Sequence, residues 1–336
     1  MSTSLYPLTF QPIFKERVWG GRNLQRLYRK PLPPGAVIGE SWEITDRPEG
    51  VSVVAYGPLA GKGLRWLMEY HAAELLGVEV PPDFRFPLLV KILDAQETLS
   101  VQVHPPAAVA ARLGGEPKTE MWYVAEAAPA AKIYTGLRRG VTRETFERKV
   151  ADGTVAECIH EHSVRSGDAM FLRSGRVHAI GAGNVIFEIQ QNSDTTYRVF
   201  DWNRAGLDGK PRELHVEHSL ASIDFDDFEP ALVGTAERET GGLRTKTLVT
   251  DPLFSLVSYA TTEPIKWNVE PAGRLRIVGV LTGGVRINSR VGALHLRAGD
   301  FCLFPAVGET AAVETLPETL FLVAAWPGEG TNAGGV

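Results

Sequence analysis

A mainly β protein with a few short helices is the fold class this sequence predicts. Short runs rich in Val, Ile, Leu and Phe are separated by turn residues, among them 34 Gly and 22 Pro in 336 residues. That punctuation suits many short strands better than long helices. Apolar and polar positions alternate in places, as from Ser100 to His104, which is the signature of a strand with two different faces. A Gly-Asp turn running into an apolar strand occurs twice, from Ser166 to Leu172 and from Ala298 to Pro305, which suggests one barrel architecture used twice. With 44% hydrophobic residues the chain can bury an ordinary core, in one large or two moderate units.

Up to about Pro58, turn residues mix with short apolar segments, so early strands are expected at Ser41 to Thr45 and Val51 to Val54, and the opening is assigned to a barrel. Leu64, Leu67, Met68, Leu75 and Leu76 recur at roughly helical spacing and Gly77 follows as a stop, which predicts an amphipathic helix. A second short helix is expected after Thr142 and before Gly153. From Phe86 to Val103 an apolar run becomes an alternating one. Ser100, Gln102 and His104 then share one face, with Val101 and Val103 on the other. Further strands are expected at Ala131 to Thr135, Ala169 to Leu172 and Val185 to Ile189, with turns at Ser166 to Asp168 and Gly181 to Gly183, and Glu213 to Ser222 reads as helical. Beyond Asp224 to Pro230 the pattern becomes more purely strand-like, at Phe254 to Ala260, Arg274 to Leu281, Gly292 to Leu296, Phe301 to Phe304 and Leu320 to Ala325. The expected domains are therefore 1–225, carrying the chemistry with small helical insertions, 226–330, a second barrel, and 331–336, a flexible tail that continues the small, polar stretch from Gly328.

Composition narrows the function. The net charge is -5 with acidic and basic residues interleaved, which leaves no basic stripe for nucleic acid and no polybasic patch for a membrane. A small molecule is the expected partner. Cys158 and Cys302, the two cysteines, lie far apart in no redox or metal pattern, which fits a reducing cytoplasm. Met1 to Phe10 carries no export signal, and no stretch approaches the length of a membrane span.

Three segments each end a strand-like run with a potential metal ligand: Gln102 to Pro105, Lys118 to Trp122, and Ser174 to Ile180. His104, Glu120 and His178 supply two imidazoles and a carboxylate, an open catalytic type of site compatible with zinc or iron. Gln102 shares a face with His104 and offers a fourth, neutral oxygen donor. The pairs His160 with His162 and His215 with His218 lack an adjoining acidic ligand, and His71 and His295 are expected to be structural or exposed. Glu188 to Arg198, followed by Asp201 to Arg204, is the densest polar stretch in the chain. It begins at an apolar strand within ten residues of His178, as expected of a cavity wall.

These segments resemble the type I mannose-6-phosphate isomerases, in particular the short bacterial form, a zinc-dependent branch of the cupin superfamily. The resemblance rests on Phe14 to Gly21, Gly39 to Trp42, Phe86 to Leu93, Ser100 to Pro105, Lys118 to Trp122, Gly175 to Ile180 and Glu188 to Asp194 with Tyr197 and Arg198, in family order over most of the first two thirds. It implies a double cupin with one Zn2+ per chain on His104, Glu120 and His178, and with Gln102 matching a fourth ligand of longer members. Lys118, Glu188 and Arg198 match active-site positions. The implied reaction interconverts D-mannose 6-phosphate and D-fructose 6-phosphate through a cis-enediol, which requires a base, an electrophile and a phosphate anchor. Arg198 or Lys118 can stabilise the enediolate or bind phosphate, Glu188 can open the ring or shuttle a proton, and Ser100 and Arg204 are lesser phosphate candidates. Arg173 stands where the family usually has proline, which either loosens the turn before His178 or gives a new contact. The second barrel has no His and Glu set and is expected to be scaffold without metal. A non-haem iron dioxygenase and a non-catalytic sugar-binding cupin are the rival readings. The general base, the substrate range and the oligomeric state stay open, with a monomer as the default.

Overall fold

The short apolar runs pair as antiparallel ladders in two successive sets of sheets. A computed structural model describes residues 4–327, so the tail expected at 331–336 lies outside the described residues. The first set has a six-stranded sheet in the order Ile13–Gly21, Ile38–Ile44, Leu88–Ala95, Asn184–Gln191, Glu120–Ala127, Ala169–Leu172. Against it packs a five-stranded sheet in the order Tyr197–Phe200, Val101–Val103, His178–Ile180, Lys132–Leu137, Ile159–Ser163, with Leu93 and Trp122 of one meeting Ile133 and Ile180 of the other. The second set repeats the plan with a six-stranded and a four-stranded sheet, drawn from strands between Arg238 and Ala325.

The strand Asn184–Gln191 shows why apolar runs and site residues coexist. Phe187 and Ile189 face a core that also holds Leu256, Ile277 and Leu322 of the second set, whereas Ile186 faces the interior of the first barrel. Glu188 and Gln190 have the parity of Ile186 and so point inward too. This sheet is covered on both faces, which is why its strands read as continuous apolar runs interrupted by single polar residues. The second barrel is filled instead by Val280, Val285, Ile287, Leu296, Cys302 and Phe321.

The run from Phe86 to Val103 divides into two strands in different sheets. At the corner between them Gln96 N–H donates to Trp19 O at 2.9 Å and Leu99 N–H to Ile180 O at 2.8 Å. Parity beyond the corner is as expected: Val101 and Val103 enter the apolar core of the five-stranded sheet. The opening segment divides as well. Ile13–Gly21 heads the first sheet, but Leu8 exchanges two 2.8 Å backbone hydrogen bonds with Leu303 of the second set.

Helix Leu64–Leu76 ends at Gly77, whose φ of +83° is left-handed. Helix Arg143–Ala151 is capped by Thr142, whose hydroxyl accepts from Thr145 N–H at 3.2 Å. The third expected helix is shorter, Val216–Ser222, because 213–215 run beside Arg198 instead. Asn23–Tyr28 is a helix with no sequence warning, since six residues are too few to display a period. Strands Leu243–Thr250 and Lys266–Val269 escape the apolar pattern because much of their length is only half-buried or exposed.

A β-carbon on Gly77 would stand 2.2 Å from the carbonyl oxygen of Gly273. Gly77→Ala combines that clash with left-handed backbone and is expected to cost roughly 1–3 kcal/mol. A lowered urea midpoint checks it; an unchanged midpoint would show that the second barrel shifts freely at this contact.

Candidate metal centre

His104 follows strand Val101–Val103, as expected. Glu120 and His178 instead open their strands, a correction to the expectation that each ligand ends one. The reason is antiparallel pairing, which brings the start of one strand beside the end of the next; His178 is registered opposite Gln102. All three ligands are nearly inaccessible, at 1–2% exposure, and their candidate donor atoms lie within 4.8 Å of one another.

Each imidazole is oriented from behind. His104 Nδ1 lies 2.9 Å from Thr195 O and His178 Nδ1 2.9 Å from Arg176 O. A carbonyl only accepts, so both Nδ1 atoms carry the proton and both Nε2 lone pairs face inward. His104 Nε2 is 3.2 Å from Glu120 Oε1, and His178 Nε2 is 3.8 Å from Glu120 Oε2. Donors about 2.0–2.1 Å from one tetrahedral ion stand roughly 3.4 Å apart, so these separations fit a single metal. His104 Nε2 and Glu120 Oε2 are moreover buried without a hydrogen-bond partner, a cost that a cation between them removes.

Protonation suits ligation. Burial, reinforced by the Lys118 charge and opposed by Glu120, holds His104 at about 3. Burial likewise pushes His178 down, against Glu120. Burial alone would raise Glu120, but Lys118 and the two imidazoles hold its carboxyl well below the ordinary value. Two neutral imidazoles and one carboxylate are the ligating forms.

Arg198, Gln102, His178 and Thr135 form one row across the five-stranded sheet, each registered opposite the next. Gln102 Nε2 sits 3.2 Å from His178 Nε2, so its amide presents nitrogen to the imidazole. Acting as a ligand would require exchanging the two ends of that amide to bring the carbonyl oxygen round.

Above the triad opens a cavity of about 540 Å³, with Ser100, Gln102, Lys118, Glu188 and Arg198 in its wall. Lys118 Nζ is 3.0 Å from Glu120 Oε1 and almost fully buried. Glu188 Oε1 accepts from Trp122 Nε1 at 2.9 Å, and Lys91 Nζ lies 3.4 Å from Glu188 Oε2. Burial and the Glu120 charge raise the Glu188 carboxyl to about 6, against Lys91 and Lys118. Lys91 itself is an ammonium: burial lowers it, but Glu188, Glu40, Asp194 and Glu120 together raise it further. Behind it, burial would raise Glu40, but Lys91 and Arg17 outweigh burial and hold the carboxyl at about 2.

Arg204, a sequence candidate, is absent from the wall; it pairs with Asp201 at 2.9 Å and Glu97 at 3.6 Å. The wall also contains residues that sequence reasoning passed over: Lys91, Glu40, Arg17 and Arg212. Lys91 had a signal, since a single lysine inside the apolar run from Phe86 to Leu93 must either pair or be expelled. Arg212 had none. At the unusual Arg173 the structure gives a contact: Nη2 lies 3.1 Å from Asp227 Oδ1, and Arg176 Nε 2.7 Å from Oδ2 of the same carboxylate. That pair ties the turn before His178 to the end of the first set of sheets. His160 and His162 meet edge to face on the five-stranded sheet, their ring centroids 4.5 Å apart, and His215 accepts the Arg198 N–H at Nδ1, 3.2 Å away.

Antiparallel sheets in two successive sets, the first with a buried imidazole and carboxylate cluster suited to a metal under a charged cavity, define a mainly β protein with a candidate metal centre. Residues 8–119 match the family model for the phosphomannose isomerase type I catalytic domain. The mannose-6-phosphate isomerase of Streptococcus mutans is 37% identical over 300 residues, covering 89% of this chain and 92% of that protein. The structure of the mannose 6-phosphate isomerase from Bacillus subtilis matches with a TM-score of 0.85 at 29% identity, over 96% of this chain and 99% of that one. A mannose 6-phosphate isomerase solved in its zinc-bound holo form shares the fold, with a TM-score of 0.74 at 16% identity over 96% of this chain and 99% of that one. The chain belongs to the type I phosphomannose isomerase family.

Proposed function

We propose that this protein interconverts D-mannose 6-phosphate and D-fructose 6-phosphate, with one Zn2+ per chain held by His104, Glu120 and His178 and by Gln102 once its amide is turned. The observation that carries the reading is the juxtaposition of an open, charge-lined cavity with the buried triad. Family membership supports the substrate and sets aside the dioxygenase and the non-catalytic binder. Zinc held by these residues would supply a Lewis acid for the sugar oxygens.

The side chains supply the rest. Glu188, a carboxyl poised at about 6 and held by Trp122 and Lys91, accepts and returns the proton that moves between C2 and C1. Arg198, one strand away from Gln102 and in the cavity wall, offers its guanidinium to the developing enediolate. Lys118 holds a fixed positive charge beside Glu120, and Ser100 donates a hydroxyl at the sugar end. The catalytic unit is assigned to 1–225 and the scaffold to 226–330. No helix among the described residues is long and apolar enough to cross a membrane. A cytoplasmic monomer is the accompanying proposal.

The test is to strip the metal with a chelator, restore zinc, and follow fructose 6-phosphate formed from mannose 6-phosphate. Turnover that tracks zinc is expected, and none at any zinc level would end the reading. A pH profile adds a second check. Below its pKa Glu188 is protonated and cannot accept a proton, so kcat should fall on the acid side. The carboxyl stands at about 6 with Glu120 charged, and neutralising Glu120 lowers it, so the limb is expected below that value in the zinc-loaded enzyme. In Glu188→Gln that limb should vanish from the residual rate; its persistence would assign the proton transfer to another group.

A further inference from the structure

We propose that Arg212 anchors the substrate's phosphate, aimed by Asp201. The inference rests on the isomerase reading and names a residue which that reading leaves unassigned. Arg212 lies in the cavity wall. Its Nε donates to Asp201 Oδ2 at 2.6 Å and its Nη2 to Asp201 Oδ1 at 2.5 Å, a bidentate fork that sets the guanidinium plane. Its Nη1 has no hydrogen-bond partner among the described residues. Asp201 is itself 5% exposed, so the fork is held from a fixed point.

Charge makes the case. Arg204 donates to the same carboxylate, from outside the cavity wall. One buried carboxylate is thus shared by two guanidiniums, and Arg198 adds a third. Arg198 Nη1 is occupied by Glu213 O at 2.8 Å, while its Nε is buried and unpartnered. Burial and the charges of Arg212 and Arg204 all push the Arg198 guanidinium down, as expected where cations crowd. The nearby carboxylates of Glu97 and Glu213 are 64% and 83% exposed and are screened by solvent. Asp208, also in the wall, is exposed on the loop and accepts its own Lys210 N–H. Around Asp201, the buried carboxylate at this end, three guanidiniums therefore gather, those of Arg198, Arg204 and Arg212. A phosphate dianion supplies two charges and oxygens suited to the guanidinium fork that Arg212 turns to the wall. Asp201 touches no substrate in this arrangement and is a positioning residue.

The experiment uses the zinc-loaded full chain and its Arg212→Met and Arg212→Lys variants, with mannose 6-phosphate as substrate and inorganic phosphate as a competitive inhibitor. Arg212→Met should raise KM and the inhibition constant of phosphate together, by about ten- to a hundredfold, with kcat within about threefold, because a remote anchor binds ground and transition states alike. Arg212→Lys, which keeps the charge and the fold, should fall between. Asp201→Asn should raise both constants less than Arg212→Met, since it loosens the aim and keeps the cation. Unchanged KM and inhibition constant in zinc-loaded Arg212→Met would overturn the proposal, as would a fall in kcat alone. Calorimetric binding of inorganic phosphate to the parent and to Arg212→Met reads the anchor without turnover, so failure of the isomerase reading remains distinguishable from failure of this one.

Discussion

Replacing Glu120 with alanine should abolish metal binding and turnover together. Glu120 is the only anionic member of the triad, and its two oxygens lie 3.2 and 3.8 Å from the Nε2 atoms of His104 and His178. Without it a divalent ion would face two neutral nitrogens and the nearby Lys118 ammonium, a repulsive neighbour once its carboxylate is gone. Losing the Lewis acid removes several kcal/mol of transition-state stabilisation, and each 1.36 kcal/mol is about tenfold in rate, so kcat should fall on the order of a thousandfold or more. Glu120→Gln preserves the shape and serves as the control for folding. Metal content by elemental analysis, read beside initial rates, checks the pair. A Glu120→Ala protein that keeps both zinc and turnover would overturn the assignment.

Arg198→Ala should separate those two properties. Arg198 stands on the same row as Gln102 and His178 but supplies no ligand, so zinc content should match the parent. Its guanidinium donates to Glu213 O, and its backbone is held by His215, whose N–H donates to Arg198 O and whose Nδ1 accepts from Arg198 N–H. Removing one donor aimed at a developing oxyanion typically costs about a hundred- to a thousandfold in kcat, and that is the loss expected. Arg198→Lys should recover only part of it, because a flexible point charge does not reproduce the fork. An Arg198→Ala enzyme with near-parental turnover would remove Arg198 from the chemistry.

Much of the metal centre was legible in the linear sequence because its ligands are embedded in strands whose parity is readable. Ser100, Gln102 and His104 alternate with Val101 and Val103, and the same alternation sends Glu188 inward and Phe187 outward. Lys118 and Glu120 are two residues apart, so one implies the other. The misplacement of Glu120 and His178 at strand ends had a simple cause: an isolated segment does not say which of its ends meets the site rim, and only the antiparallel partner does. Arg204 and Arg212 show a different limit. Both are arginines in the same polar loop, and both bind Asp201. Their difference lies in which side of that carboxylate each approaches, a property of the loop's path and not of its composition.

The sequence alone therefore determined the class of fold, the family and the three candidate metal-ligating residues. Those depend on local alternation, turn chemistry and residue type, which are written along the chain. Tertiary structure decided the rest: that the run from Phe86 to Val103 breaks into two sheets, that Leu8 pairs with the second set of strands, and that Lys91 balances Glu188 and Glu40 inside the cavity. It also decided that Gln102 turns its amide nitrogen toward His178, and that Arg173 replaces a rigid turn with an ion pair to Asp227. Each of these joins residues distant in sequence. Their energies depend on separations of a few ångströms and on how completely water is excluded, and neither quantity exists until the sheets have packed.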